Sequence, residues 1–234
     1  MNVEAPLSIR RPEAVVFDVN ETLTDLAPLE EVFARIGLGA TSLRWWFAVL
    51  LRDGFALTVT GDLATFADLA TAALDEVAAT SGRDLPDGAG AEVVDAFGRV
   101  PVHPDVAPAL DRLRSAGVPA FALTNGSAPL ARRILGAAGV VDLFANVLSV
   151  DVVGHWKPRP EPYWYAAEVA GVAPAQVALV AVHPWDLHGA ASAGLTTGWV
   201  NRDARHYPAV FRAPLVQSTD LEGVVERLLA LGDR

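Results

Sequence analysis

The sequence contains no cysteine among its 234 residues, which removes disulfides, thiolate zinc sites and cysteine nucleophiles together. Positive charge is the scarcer sign: 18 Lys and Arg stand against 28 Asp and Glu, a net charge of −10. Such a balance repels a phosphate backbone unless basic residues gather on one face. The sequence does not gather them, so no nucleic acid is expected as a partner. Long apolar runs are also missing. Stretches such as residues 177–182 fall well short of the ~18 residues needed to cross a bilayer, so no membrane association is expected. Residues 1–6 lack a basic region followed by an apolar core; no secretory signal is read there, and a cytoplasmic location is the expectation. What remains is ample core material, with 52% hydrophobic and 20% charged residues, in a length that suits one large domain or a core carrying a smaller inserted unit.

Residues 14–17 form a continuous apolar run that ends abruptly in Asp18, Val19 and Asn20, the pattern of a strand buried on both faces. Residues 120–123 lead in the same way into Thr124, Asn125 and Gly126, and residues 177–182 into His183, Pro184, Trp185 and Asp186. Between them lie helical stretches over 105–116, 128–138 and 162–170, closed by Gly117, Gly139 and Gly171. Glycine just past a last turn is a stop signal because that position often needs a left-handed backbone. Strands alternating with helices predict an α/β fold with a parallel sheet covered on both faces, whose ligands bind beyond the carboxyl ends of the strands. The polar clusters all fall there.

Residues 26–100 do not alternate in this way. Leu43, Trp46, Phe47, Leu50 and Leu51 have helical spacing ahead of Gly54; Phe66, Leu69, Ala70, Ala73, Leu74 and Val77 make a second apolar face; the segment 81–90 reads as a loop. The expected organisation is a core formed by residues 1–25 and 101–234, with an all-helical insert over 26–100 placed above the strand ends as a lid.

Four motifs then fall in register: residues 17–25 (Phe-Asp-Val-Asn-Glu-Thr-Leu-Thr-Asp), Leu123-Thr124-Asn125-Gly126, Lys157-Pro158, and Trp185-Asp186-Leu187-His188-Gly189-Ala190. In order and spacing they resemble the motifs of the haloacid dehalogenase superfamily. Within it, the helical insert, the Trp-Asp pair and the later Asn201-Arg202 are similar to the L-2-haloacid dehalogenases. The resemblance implies a Rossmann-like core with a helical cap, a homodimer, and metal-free, cofactor-free hydrolysis of short 2-haloacids with release of halide.

The resemblance also implies roles. Asp18 attacks the substrate C2 and becomes an ester, which water then hydrolyses; this is covalent catalysis by a carboxylate. Lys157 keeps Asp18 ionised and helps place the substrate carboxylate, because two like charges ~4 Å apart at an effective dielectric of ~20 repel by roughly 4 kcal/mol. Asp186 positions or activates the water. Arg44, beside Trp45 and Trp46, cradles the departing halide with Asn125; Thr124 holds the substrate carboxylate; Thr22 orders Asp18; Asn20, His183 and Trp185 complete the pocket. Blander readings stand beside these: a turn aspartate, an exposed Lys157, a helix-capping Asp186, a surface Arg44, a structural His183.

Two positions separate this reading from the superfamily's magnesium-dependent phosphatases. Asn20 stands where those enzymes carry an acid for the leaving alkoxide, and Val182 where they carry a further carboxylate, so the metal set looks incomplete. The chain departs from the dehalogenases as well: Asn20 replaces a common Tyr, Glu21 a Gly, Ala181 a Ser and His183 an Asn. The histidine could donate to substrate or assist the water. A phosphatase of the same superfamily and a catalytically idle binding protein are the alternative readings.

Overall fold

A computed structural model describes residues 10–232; expectations on residues 1–9 and 233–234 lie outside the described residues. Its centre is a six-stranded sheet of β1 (Ala14–Asp18), β2 (Ala120–Thr124), β3 (Asn146–Ser149), β4 (Val177–Ala181), β5 (Thr196–Val200) and β6 (Val216–Ser218). The order is β3-β2-β1-β4-β5-β6 and every pairing is parallel. Alternate residues of β1 serve opposite faces. Val15 and Phe17 join a cluster with α5 (Val106–Ser115), α6 (Ala128–Ala137) and α9 (Leu221–Leu229); Ala14 and Val16 join another with α7 (Pro160–Ala170) and α8 (Pro184–Ser192). The sheet is thus covered on both sides, and the run of buried residues along β1 follows from having helices above and below it.

Between β1 and α5 come α1 (Leu29–Arg35), α2 (Ala40–Thr60), α3 (Phe66–Thr80) and α4 (Ala89–Phe97). They pack on one another around Phe33, Trp46, Leu50, Leu74 and Phe97, and Val150 and Trp156 from the sheet layer join the same cluster. The Trp46 indole is fully buried and donates its N–H to the Ala70 carbonyl at 2.8 Å, tying α2 to α3.

Two expectations about glycine need correction. α2 does not stop near Gly54 but runs to Thr60, ending at Gly61 with a φ of 84°. Gly54 is there for closeness: a Cβ at this position would lie 2.3 Å from the Trp156 ring. The 81–90 loop likewise ends earlier, because α4 begins at Ala89 and Gly90 lies against Thr71, whose Cγ2 would be 2.9 Å from an added Cβ. In both cases a residue read as a breaker serves close packing of a helix.

Candidate active site

Asp18 ends β1 at the point where the chain's later strands fill the opposite side of the sheet, which leaves a crevice beyond the strand tips. The carboxylate is buried and held from three directions. Lys157 Nζ donates to Oδ1 at 2.8 Å, the Thr22 hydroxyl donates to Oδ2 at 2.7 Å, and His183 Nδ1 lies 3.1 Å from the same Oδ2. Burial alone would push the Asp18 carboxyl up, but the Lys157 ammonium and then the His183 ring outweigh it and hold the group well below the usual carboxylate range. Asp18 is an ionised, fixed carboxylate.

Lys157 is completely buried and each donor of its ammonium has a partner: Asp18, Asp186 Oδ2 at 2.6 Å and the Leu123 carbonyl at 3.1 Å. Burial opposes its charge, yet the two carboxylates raise its pKa above the ordinary lysine value. Asp186, in the first turn of α8, is equally buried, and its second oxygen accepts the Tyr163 hydroxyl at 2.5 Å. Burial, with Asp18 adding to it and Lys157 opposing, pushes the Asp186 carboxyl up. Burial first, then Asp186, drives the Tyr163 phenol well above its usual value and so fixes it as a donor.

The Lys157 backbone is clamped by Asn125, whose amide oxygen accepts the Lys157 N–H at 2.9 Å and whose Nδ2 donates to the Lys157 carbonyl at 3.2 Å. Asn125 therefore spends most of its amide on the loop and keeps one N–H for a ligand. Thr124 accepts the Gly126 N–H at 2.9 Å and shapes the turn at the tip of β2. Thr22 accepts the Val182 N–H at 3.0 Å, linking the β1 turn to the end of β4. Arg202 donates to the Thr22 carbonyl at 2.9 Å while paired with Asp105, so the Asn201-Arg202 element buttresses the same turn.

The structure therefore brings Asp18, Thr22, Lys157, Asn125, Asp186 and His183 together. Trp185 stacks beside His183 with ring centroids 5.1 Å apart, and its own ring lies 6.0 Å from Lys157 Nζ. Asn20 is half-buried in the turn and makes no side-chain hydrogen bond among the described residues. Arg44 does not have the dry aromatic seat expected for it: it is exposed on α2, without an ion-pair or hydrogen-bond partner among the described residues. Its neighbour one turn on, Phe47, packs over the His183 ring at 6.3 Å, and Phe55 packs on Trp185 at 5.0 Å. Trp164 is half-exposed and donates its N–H to the Ala193 carbonyl.

Two site residues escape the sequence reading. Tyr163 looks like one more apolar-face residue of α7, and nothing local announces its contact with Asp186. Glu21 did give a signal, since it stands where a glycine is usual. It occupies a left-handed conformation with φ 61°, and its Oε2 lies 2.8 Å from His183 Nε2. Among the described residues no group of three or more His, Asp or Glu side chains is arranged to hold a metal ion, and the Asp18 and Asp186 carboxylates share the Lys157 ammonium.

Comparison with known proteins agrees with this fold. A haloacid dehalogenase-like hydrolase family model matches residues 12–194. The chain is 28% identical to (S)-2-haloacid dehalogenase 1 of Pseudomonas sp. strain CBS-3 over 220 residues, covering 93% of this chain and 97% of that protein. It is 30% identical to the (S)-2-haloacid dehalogenase of Xanthobacter autotrophicus over 192 residues, 81% of this chain and 75% of the relative. A solved L-2-haloacid dehalogenase superposes with a TM-score of 0.88 at 29% identity, covering 95% of this chain and all of the other.

Proposed function

Since this chain belongs to the haloacid dehalogenase-like hydrolases, we propose that it hydrolyses the carbon–halogen bond of short 2-haloalkanoic acids to 2-hydroxy acids through an ester on Asp18. The single observation that carries this reading is the buried Asp18 carboxylate, kept charged by a Lys157 ammonium that is itself pinned at 2.6 Å by Asp186. A desolvated, ionised carboxylate with fixed direction is a nucleophile suited to displacement at carbon. A halide leaves without needing a proton, so the lack of an acid at Asn20 does not impede the step.

In this reading the Thr124 hydroxyl and the remaining Asn125 N–H take the substrate carboxylate, and Lys157, whose three donors are already taken, attracts it by charge alone. Asp186 and Tyr163 hold Lys157 in place. Arg44, one turn from Phe47, is the cation available on the halide side, and the α1–α4 layer acts as the cap. Phe47 and Phe55 close over the His183 and Trp185 rings on this side of the site. No metal or organic cofactor takes part. Assembly as a homodimer goes with the activity, and its support is the motif pattern shared with the family.

The test is halide release from chloro-, bromo- and fluoroacetate and both 2-chloropropionate enantiomers in metal-free buffer, beside a generic phosphate ester. Halide release that is insensitive to chelator and abolished in a folded Asp18→Asn variant is the expected result. Magnesium-dependent phosphate release without halide would select the phosphatase reading.

A further inference from the structure

We infer that His183, oriented by Glu21, is the general acid–base group that hydrolyses the Asp18 ester, an inference that rests on the dehalogenase reading above. The geometry is a line of three groups. His183 Nδ1 faces Asp18 Oδ2 at 3.1 Å, and Nε2 faces Glu21 Oε2 at 2.8 Å. A ring bonded to one carboxylate oxygen lies a water's reach from the carbon that joins both. The carboxylate on the other nitrogen fixes ring orientation and decides which nitrogen keeps a proton.

Asp186 is poorly placed for the same task. One of its oxygens is taken by Lys157 and the other by Tyr163, and the side chain has no solvent exposure. It anchors the ammonium. His183, by contrast, retains 12% side-chain exposure, which gives protons a way in and out. A further sign comes from the backbone. An L-residue is strained in the left-handed region, yet Glu21 is held there at φ 61° by the turn closed by the Leu23 and Thr24 N–H groups on the Val19 carbonyl. That conformation aims its carboxylate at His183. Strain of this kind at a site points to a role.

The charged groups facing the ring are Asp18 at the tip of β1, Glu21 in the turn, and Lys157 on the far side of Asp18; α2 and α8 present the Phe47 and Trp185 rings, and His103 touches the Glu21 carbonyl from behind. In the free enzyme burial opposes the ring's charge, but hydrogen bonds to Asp18 and Glu21 raise its pKa to about 9, so it is an imidazolium. Esterification removes the Asp18 charge and with it one of these supports. The pKa falls, and the Nδ1 proton leaves to solvent. Nδ1 can then accept a proton from water.

The steps balance. An Asp18 oxygen bonds to C2 as the carbon–halogen bond breaks and halide leaves. Water adds to Cγ and gives a proton to Nδ1. The Cγ–O bond to the product then breaks, and the product oxygen takes that proton from Nδ1. Asp18 is regenerated with one water oxygen, the second water proton passes from its carboxyl to Nδ1 and restores the imidazolium, and one proton per turnover has gone to solvent.

The experiment is rapid-quench measurement of halide and protein mass with chloroacetate on wild type, His183→Asn and Glu21→Gln. His183→Asn should release one equivalent of halide per site in a burst, then turn over about 10²–10⁴-fold more slowly, with the ester accumulating on the Asp18 peptide. The burst itself reports that the variant is folded. Glu21→Gln should slow ester hydrolysis less, and should move the acid limb of its pH profile to lower pH. Turnover of His183→Asn near the wild-type rate without ester, or loss of its burst while its circular dichroism spectrum matches wild type, would overturn the role of the ring. An unmoved limb in Glu21→Gln would overturn that of Glu21. Wild type releasing no halide would overturn the dehalogenase reading itself.

Discussion

A buried lysine is tolerated only when its desolvation is repaid by partners, and Lys157 has a carboxylate, a second carboxylate and a carbonyl within 3.1 Å. Removing either carboxylate would leave the other members of the set unbalanced, so the anchor residues are as exposed to mutation as the nucleophile. His183 makes the residue-scale electrostatics measurable. Its folded-state pKa, about 9, lies above the ordinary 6.5, so charging the ring favours the fold. That contribution is fully present below about pH 6.5 and is lost as pH rises through about 9; its span is on the order of 3 kcal/mol. Denaturant unfolding from pH 6 to 9.5 should therefore show wild type losing stability with rising pH and His183→Asn losing much less. His103, which burial and then Arg202 push down, titrates in both proteins and cancels in the comparison. Parallel slopes would mean that His183 is not charged in the free enzyme.

Among the elements, α2 links the covering layer to the site. It carries Trp46 into its own cluster, Phe47 and Phe55 over the His183 and Trp185 rings, and Gly54 against Trp156, the residue just before Lys157. Alanine is the better helix former by about 1 kcal/mol, but at Gly54 its methyl would stand 2.3 Å from the Trp156 ring. The overpacking term, roughly 1–3 kcal/mol, wins if the ring cannot move, so Gly54→Ala should lower the thermal midpoint and impair halide release together. An unchanged midpoint would show that Trp156 yields freely. The same glycine marks the limit of the sequence. Strand tips were legible because unbroken apolar runs change suddenly to Asp18, Thr124 and His183, and helix ends because Gly117, Gly139 and Gly171 take the positive φ a stop needs. Gly54 and Gly90 carry the same letter for a different cause, a neighbour's approach, which depends on a partner far away in the chain. Asp18, Thr22, Lys157 and Asp186 could be read because each lies in a local motif. Tyr163 and the link between Glu21 and His183 arise only when α7 and the β1 turn close on the tip of β4 and the start of α8.

At the scale of the molecule, three apolar clusters among the described residues divide the labour: two clamp the sheet and one builds the layer above it. Charge is distributed with less regard for the proposed substrate. The chain carries a net charge of −10, and a 2-haloacid is itself an anion. At the site, the Asp18, Asp186 and Glu21 carboxylates stand against the Lys157 and His183 cations, so the immediate surroundings do not reverse the sign. Substrate must then approach against a long-range repulsion, with Lys157 attracting it only at close range. Screening shortens the reach of that field from about 30 Å at 0.01 M ionic strength to about 8 Å at 0.15 M. Raising ionic strength with sodium sulfate, which adds no competing halide, should therefore increase kcat/KM for chloroacetate and leave kcat unchanged, since the charges that act in the chemical steps are buried. A fall in kcat/KM would mean that exposed cations such as Arg44 dominate the field at the entrance and draw the acid in.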